Sequence, residues 1–158
     1  MYKFGKRSVK NIQTTHKLLQ ELATKLISVS DFDISVIDDG GLRTAEQQNK
    51  LFKLGRSKLD GYKKKSYHQS GMAIDFVPFV NGTLTWKNKE AFLHIAKTAL
   101  SIWNTDMLTE NYYLHWGGFW GASDKDGDGI LELTDKTGWD MPHFELRMTP
   151  QIGVIPIM

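Results

Sequence analysis

The chain has 158 residues, 41% hydrophobic and 24% charged, with a net charge of +2 and no cysteine. That size and apolar share suit one soluble domain with a single core. Disulfides, zinc–thiolate sites and cysteine nucleophiles are excluded, and so small a charge gives no ground for a nucleic-acid partner.

Residues 8–28 carry Val9, Ile12, Leu19, Leu22, Leu26 and Ile27 at helical spacing, which predicts one helix with Ser8 as N-cap. Ile34–Ile37 is β-like. Thr44 and Gln47 form a capping-box signature for a second helix, TAEQQNKLFKL, which Gly55 ends. Residues 56–66 are basic and poor in apolar side chains, which predicts a loop. Ala73–Phe79 reads as a strand, Asn81-Gly82 as a hairpin turn, and Thr83–Thr85 as the returning strand. A third helix is expected over 88–103, and short strands at Tyr112–Trp116 and His143–Arg147. Helices and strands do not alternate as a parallel sheet requires. The expected class is α+β: a small antiparallel sheet with about three helices packed around it, in one domain spanning 1–158.

Two stretches carry chemistry. In SYHQSGMAIDF, Ser66–Phe76, and the Val77 that follows, strand alternation puts Ile74 and Phe76 on one face and Ala73, Asp75 and Val77 on the other. Gly71 permits a turn that brings His68 back over Asp75. An imidazole beside a carboxylate is half a metal site; it is equally a surface histidine bonded to a strand aspartate. In GWDMPHFEL, His143 and Glu145 share a strand face, while Phe144 and Leu146 take the core side. Two histidines and a carboxylate with one position open is a catalytic zinc pattern, and Asp140 stands where a general base would. His16 and His94 fall within amphipathic helices. His115, beside Trp116, is a weaker candidate for lining a cleft, and Trp116, Phe119 and Trp120 either wall the cleft or fill the core. The basic run RSKLDGYKKKSYH either attracts carboxylates or is a solvated loop.

These motifs resemble a known superfamily. SxHxxGxAxD (Ser66, His68, Gly71, Ala73, Asp75) followed by DxxHxE (Asp140, His143, Glu145) resembles the zinc D,D-carboxypeptidases and L-alanyl-D-glutamate endopeptidases. GLRTAEQQNKLF resembles that superfamily's arginine segment, and YKFGKRS and AIDFVPFVNG resemble the single-domain coliphage endolysins. The resemblance implies a hedgehog/D,D-peptidase-like fold and zinc held by His68, Asp75 and His143. It implies Asp140 activating the attacking water and Arg43 polarising the scissile carbonyl. Ser66 would bind substrate or fix His68, and Glu145 would orient a histidine ligand. The implied activity is hydrolysis of the L-alanyl–D-glutamate bond in bacterial peptidoglycan. D-alanyl-D-alanine carboxypeptidase, a non-catalytic zinc and calcium binding module, and an iron oxygenase are the alternatives.

A separate signal lies in SDKDGDGILELTD. Counted from Asp124, acidic residues occupy positions 1, 3, 5, 9 and 12 of an EF-hand calcium loop: Asp124, Asp126, Asp128, Glu132 and Asp135. Gly129 takes position 6 and Ile130 position 7. Calcium bound at 124–135, five residues before Asp140, is expected to order the catalytic segment and raise activity. The N-terminal MYKFGKRSVKNIQ has no apolar h-region, and no run approaches the ~18 apolar residues of a membrane span. The expectation is therefore a monomer in a host cytoplasm, with no stable membrane insertion, reaching the wall through a holin-like pore.

Overall fold

A computed structural model describes residues 1–126 and 130–150. Among these residues the chain forms four α-helices and two three-stranded antiparallel sheets. The α+β class holds, with the strands divided between two sheets rather than gathered in one.

The helix expected over 8–28 is two: α1 (Lys6–Ile12) and α2 (Lys17–Val29). The break is local. The hydroxyls of Thr14 and Thr15 donate back to the carbonyls of Asn11 and Ile12 at 2.6 and 2.7 Å, closing off the first helix. His16 then caps the second, its Nδ1 accepting from the Leu18 N–H at 3.2 Å. Ser8 is not a cap; it sits buried inside α1, and its Oγ accepts from the Val36 N–H at 3.1 Å, tying α1 to the segment after the first strand.

The first strand, β1, is Asp33–Ser35. Helix α3 (Ala45–Lys53) starts with the reciprocal cap that its sequence predicts: Thr44 Oγ1 accepts from Gln47 N, and Gln47 Oε1 accepts from Thr44 N. The strand expected over 73–79 divides at Phe76 into β2 (Ala73–Asp75) and β3 (Val77–Val80). Phe76 and Val77 are both fully buried, so they need apolar cover on opposite sides of the chain. The two sheets and the helices provide it. Val77 therefore does not share the solvent-side face with Asp75, and the alternation stops at Asp75. Asn81 and Gly82, both at positive φ (52° and 76°), make the tight hairpin to β4 (Thr83–Leu84).

Helix α4 (Lys89–Asp106) begins at Asn88, whose side chain accepts from the Ala91 N–H. Its Ile95, Ala96, Ala99 and Trp103 pack with Leu19, Leu22, Ala23 and Leu26 of α2. The same core takes Ile74, Phe76, Phe144 and Leu146 from the sheet side, and each large side chain contributes about 1.5–3 kcal/mol on burial. The strands β5 (Tyr112–Trp116) and β6 (His143–Met148) complete the second sheet, ordered β2-β6-β5. No helix among the described residues is long and apolar enough to cross a membrane.

Candidate active site

The pairing of β2 with β6 builds the site. Asp75 lies directly opposite His143, Ile74 opposite Phe144, and Ala73 opposite Glu145. Ile74 and Phe144 go into the core, so Asp75 and His143 meet on the other face of the sheet. His68 arrives from the 3-10 turn Tyr67–Ser70, which ends at Gly71 in the left-handed region (φ 70°). Ser66 caps that turn: its Oγ accepts from the His68 N–H at 3.2 Å, and Gln69 Oε1 accepts from the Ser66 N–H at 2.9 Å. Ser66 thereby fixes the turn that carries His68, and it also lines the cleft.

His68 Nε2, His143 Nδ1 and Asp75 Oδ1 form a triangle with all three edges 3.1 Å. The outer ring nitrogens are taken. His68 Nδ1 lies 2.8 Å from the Gly41 carbonyl oxygen, and His143 Nε2 lies 2.8 Å from Glu145 Oε2. Both partners only accept, so each outer nitrogen carries the proton of the neutral ring. The two inner nitrogens and Asp75 Oδ1 then aim lone pairs at one point. Three converging lone pairs suit a cation between them. Ligands at ~2.05 Å around a tetrahedral ion stand ~3.3 Å apart, close to the observed edges. Among the described residues this trio alone forms a group able to hold a metal ion.

Supporting groups lock each ligand. Arg43 Nη2 donates to Asp75 Oδ2 at 2.7 Å, while its Nε donates to the Asp39 carbonyl and its Nη1 to Gln48 Oε1. Arg147 Nε donates to Glu145 Oε1 at 2.6 Å. Burial opposes the ionised form of Asp75, yet the neighbouring histidines and Arg43 hold its carboxyl well below the usual range. Burial likewise opposes charge on His143, but its bonds to Asp75 and Glu145 win and push it up to about 9. Burial leads in lowering His68. Metal-free, the cluster thus holds one proton on His143 where a cation would otherwise sit.

A cleft of about 860 Å³ opens over the trio, lined also by Arg43, Ser66, Asp140 and Glu145. Asp140 reaches it because Gly117 has no side chain; a Cβ there would meet the Asp140 carbonyl at 2.4 Å. Burial first, and then the charge of Asp75, push the Asp140 carboxyl up to about 6. Trp86, Trp120 and Trp139 line the cleft, with Trp120 stacked on Trp139 and 5.2 Å from the His143 ring. Trp116 is core, its Nε1 donating to the Met141 carbonyl. Phe119 is 45% exposed and packs edge-on against Trp116. His115 stands opposite Glu145 on β5 and packs against Trp120, one strand removed from the trio.

Sequence reasoning missed the Gly40-Gly41 carbonyls, which bind the Asp75 N–H and His68 Nδ1. It also missed Gln48, Arg147 and Trp139. The only available signal was the adjacent DDGG ahead of Arg43.

Of the expected calcium loop, Asp128 and Gly129 lie outside the described residues. Around them, Ser123 bridges to Lys136, closing the base of the loop. Asp135 is buried; its Oδ1 accepts from the Lys125 N–H at 2.8 Å and its Oδ2 from the Glu132 N–H at 2.7 Å. Lys89 Nζ donates to the carbonyls of Leu133 and Asp135, linking the loop to the start of α4.

Comparison with known proteins identifies the family. Residues 1–147 match the family described as phage L-alanyl-D-glutamate peptidase. The chain is 33% identical over 145 residues to the L-alanyl-D-glutamate peptidase of Escherichia phage T5, covering 92% of this chain and 98% of that one. It shares its fold with the crystal structure of the Serratia marcescens L-Ala D-Glu endopeptidase ChiX, at a TM-score of 0.62 and 23% identity, covering 92% and 90% of the two chains.

Proposed function

Since the chain belongs to the phage L-alanyl-D-glutamate peptidase family, we propose that it is an endolysin that uses zinc to hydrolyse the L-alanyl–D-glutamate bond of bacterial peptidoglycan. The observation carrying this reading is the convergence of three ligand lone pairs beneath a cleft that also contains Asp140. Two imidazoles and one carboxylate suit zinc, and His68, Asp75 and His143 would hold it. When bound, the ion acts as a Lewis acid that acidifies water and polarises a carbonyl. Asp140 takes the proton of the attacking water and returns it to the departing amine; burial already lifts its carboxyl toward the range of an effective base, to about 6 in the metal-free site. Arg43, fixed by Asp39, Gln48 and Asp75, sets positive charge beside the carbonyl oxygen as it becomes anionic. Glu145, itself held by Arg147, keeps His143 in the tautomer that offers Nδ1. The protein would act as a monomer, reaching the wall from the host cytoplasm through a pore made by another protein.

Digestion of purified peptidoglycan, followed by mass spectrometry, tests this. Expected products end in a new L-alanine carboxylate and a new D-glutamate amine, disappear with chelator and return with zinc. Release of terminal D-alanine instead would identify a carboxypeptidase, and intact peptidoglycan a binding module. Zinc uptake should also expel a proton. His143, at about 9, is protonated at neutral pH in the metal-free protein and must lose that proton to ligate. Calorimetry at pH 7 in buffers of different ionisation enthalpy should count about one proton released per ion. Zero release would contradict the charge state assigned to His143.

Calcium at 124–135 belongs to the same proposal. What supports it is the spacing of Asp124, Asp126, Asp128, Glu132 and Asp135, with Ile130 at the carbonyl position. Asp135 closes the loop onto its own backbone, and the loop runs directly into Trp139 and Asp140. Calcium added to zinc-loaded, calcium-free enzyme should raise turnover several-fold, by ordering the segment that carries Asp140. Unchanged turnover would refute the regulatory role.

A further inference from the structure

We propose that Arg56 and Lys58 form a carboxylate subsite that reads the glutamyl residue of the substrate. This rests on the L-alanyl–D-glutamate specificity proposed above. The chemistry is simple. A glutamyl residue whose nitrogen lies in the cleaved bond has two carboxyl groups and continues the chain through at most one of them. A free carboxylate therefore enters the cleft a few bonds from the reacting carbon.

That carboxylate meets acids on the wall: Asp38, Asp39 and Asp140 all line the cleft. These acids would repel it where no cation stands against them. Three non-histidine cations line the same cleft: Arg43, Arg56 and Lys58. Arg43 is occupied by Asp75. Among the described residues, neither Arg56 nor Lys58 pairs with a carboxylate. Both are solvent-exposed, and both line the wall of a cleft rather than project from a convex surface.

Surface loops usually make poor recognition sites because they move, but this one is anchored. Gln48 of α3, fully buried, donates through Nε2 to Ser57 Oγ at 2.9 Å and to the Leu59 carbonyl at 3.0 Å. Its Oε1 accepts from Arg43. One buried amide thus connects the basic loop to the guanidinium that grips Asp75. Asn49 Nδ2 holds the Asp60 carbonyl at 2.9 Å, and Gln69 Nε2 holds the Gly61 carbonyl at 2.8 Å. On the far side, the Lys58 ammonium lies 5.8 Å from the centre of the Trp139 ring, next in sequence to Asp140. The loop that carries the two cations is therefore tied to the frame that holds the proposed metal ligands, while the Lys58 ammonium reaches toward the segment of the general base.

The test uses two synthetic N-acyl-L-alanyl-D-glutamyl peptides, one with the free glutamyl carboxylate and one with that group as a carboxamide. A third peptide, amidated at its chain end instead, separates the glutamyl carboxylate from the terminal one. The zinc-loaded wild-type enzyme is expected to prefer the glutamyl carboxylate by roughly tenfold in kcat/KM, through KM, and to be indifferent to the terminal one. In the double variant Arg56→Gln, Lys58→Gln the preference should fall to near unity, and Lys58→Arg alone should keep most of it. Zinc content and thermal melting of each variant establish that the fold is intact. A wild-type enzyme that cleaves both glutamyl forms alike, one that reads the terminal group instead, or a folded double variant that still discriminates overturns the subsite alone. A wild-type enzyme that cleaves none of these peptides, nor the L-alanyl–D-glutamate bond of intact peptidoglycan, overturns the specificity and the subsite together.

Discussion

Replacing Asp140 with asparagine is expected to lower kcat by about 10³-fold while leaving zinc binding intact, within the range that positioned acid–base groups supply. The substitution keeps the size of the side chain and removes only its ability to take a proton. Asp140 is not one of the three converging ligands, so the metal trio should survive. The pH profile separates a proton-transfer role from a structural one. Below its pKa Asp140 is protonated and cannot act as base, so wild-type kcat/KM should fall by about tenfold per pH unit on the acid side. Burial and the Asp75 charge push the carboxyl up to about 6 in the metal-free site, and a bound cation draws it lower, so the limb should fall below pH 6. The limb should vanish in the asparagine variant. If the variant keeps kcat within threefold of wild type, Asp140 is not the base.

The site was legible from the sequence wherever a strand period or a short motif encoded it. Alternation around Ile74 and Phe144 correctly assigned Asp75 and His143 to the opposite face, and the antiparallel register set them against each other. Thr44 and Gln47 announced α3 through a cap that closes within four residues. Failures came where a local pattern was overridden by distant contacts. Thr14 and Thr15 end α1 with their own hydroxyls, though the apolar spacing runs on through them. Val77 continues the alternation on paper, yet the chain leaves one sheet for the other at Phe76. Backbone acceptors are silent in sequence: nothing about glycine predicts that the Gly41 carbonyl will fix the tautomer of His68. Arg147 and Gln48 read as ordinary surface residues until the fold sets them against Glu145 and Arg43.

Asp75→Ala should be the most damaging single change, because this carboxylate belongs to the proposed metal site and also holds the metal-free protein together. Its Oδ1 faces both imidazoles and its Oδ2 takes Arg43. Removing it leaves a guanidinium only 13% exposed without a counter-ion, a loss of about 3–5 kcal/mol. His68→Ala should abolish the proposed metal binding equally well, but it keeps Arg43, Asp75 and His143 together, so the metal-free protein should lose only about 1–2 kcal/mol. Urea unfolding in chelator distinguishes them, and both should be inactive. The pH dependence gives a second readout. Asp75 is depressed, so its contribution is present above 3.8 and lost as pH falls through its lower folded value. His143 is raised, so its contribution is complete below 6.5 and lost as pH rises through about 9. The His143 contribution should therefore weaken metal-free wild type as pH rises from 6.5 toward 9, and Asp75→Ala should flatten that decline. Equal stability of the two variants in chelator would mean that Arg43 finds another partner and that Asp75 matters only as a ligand.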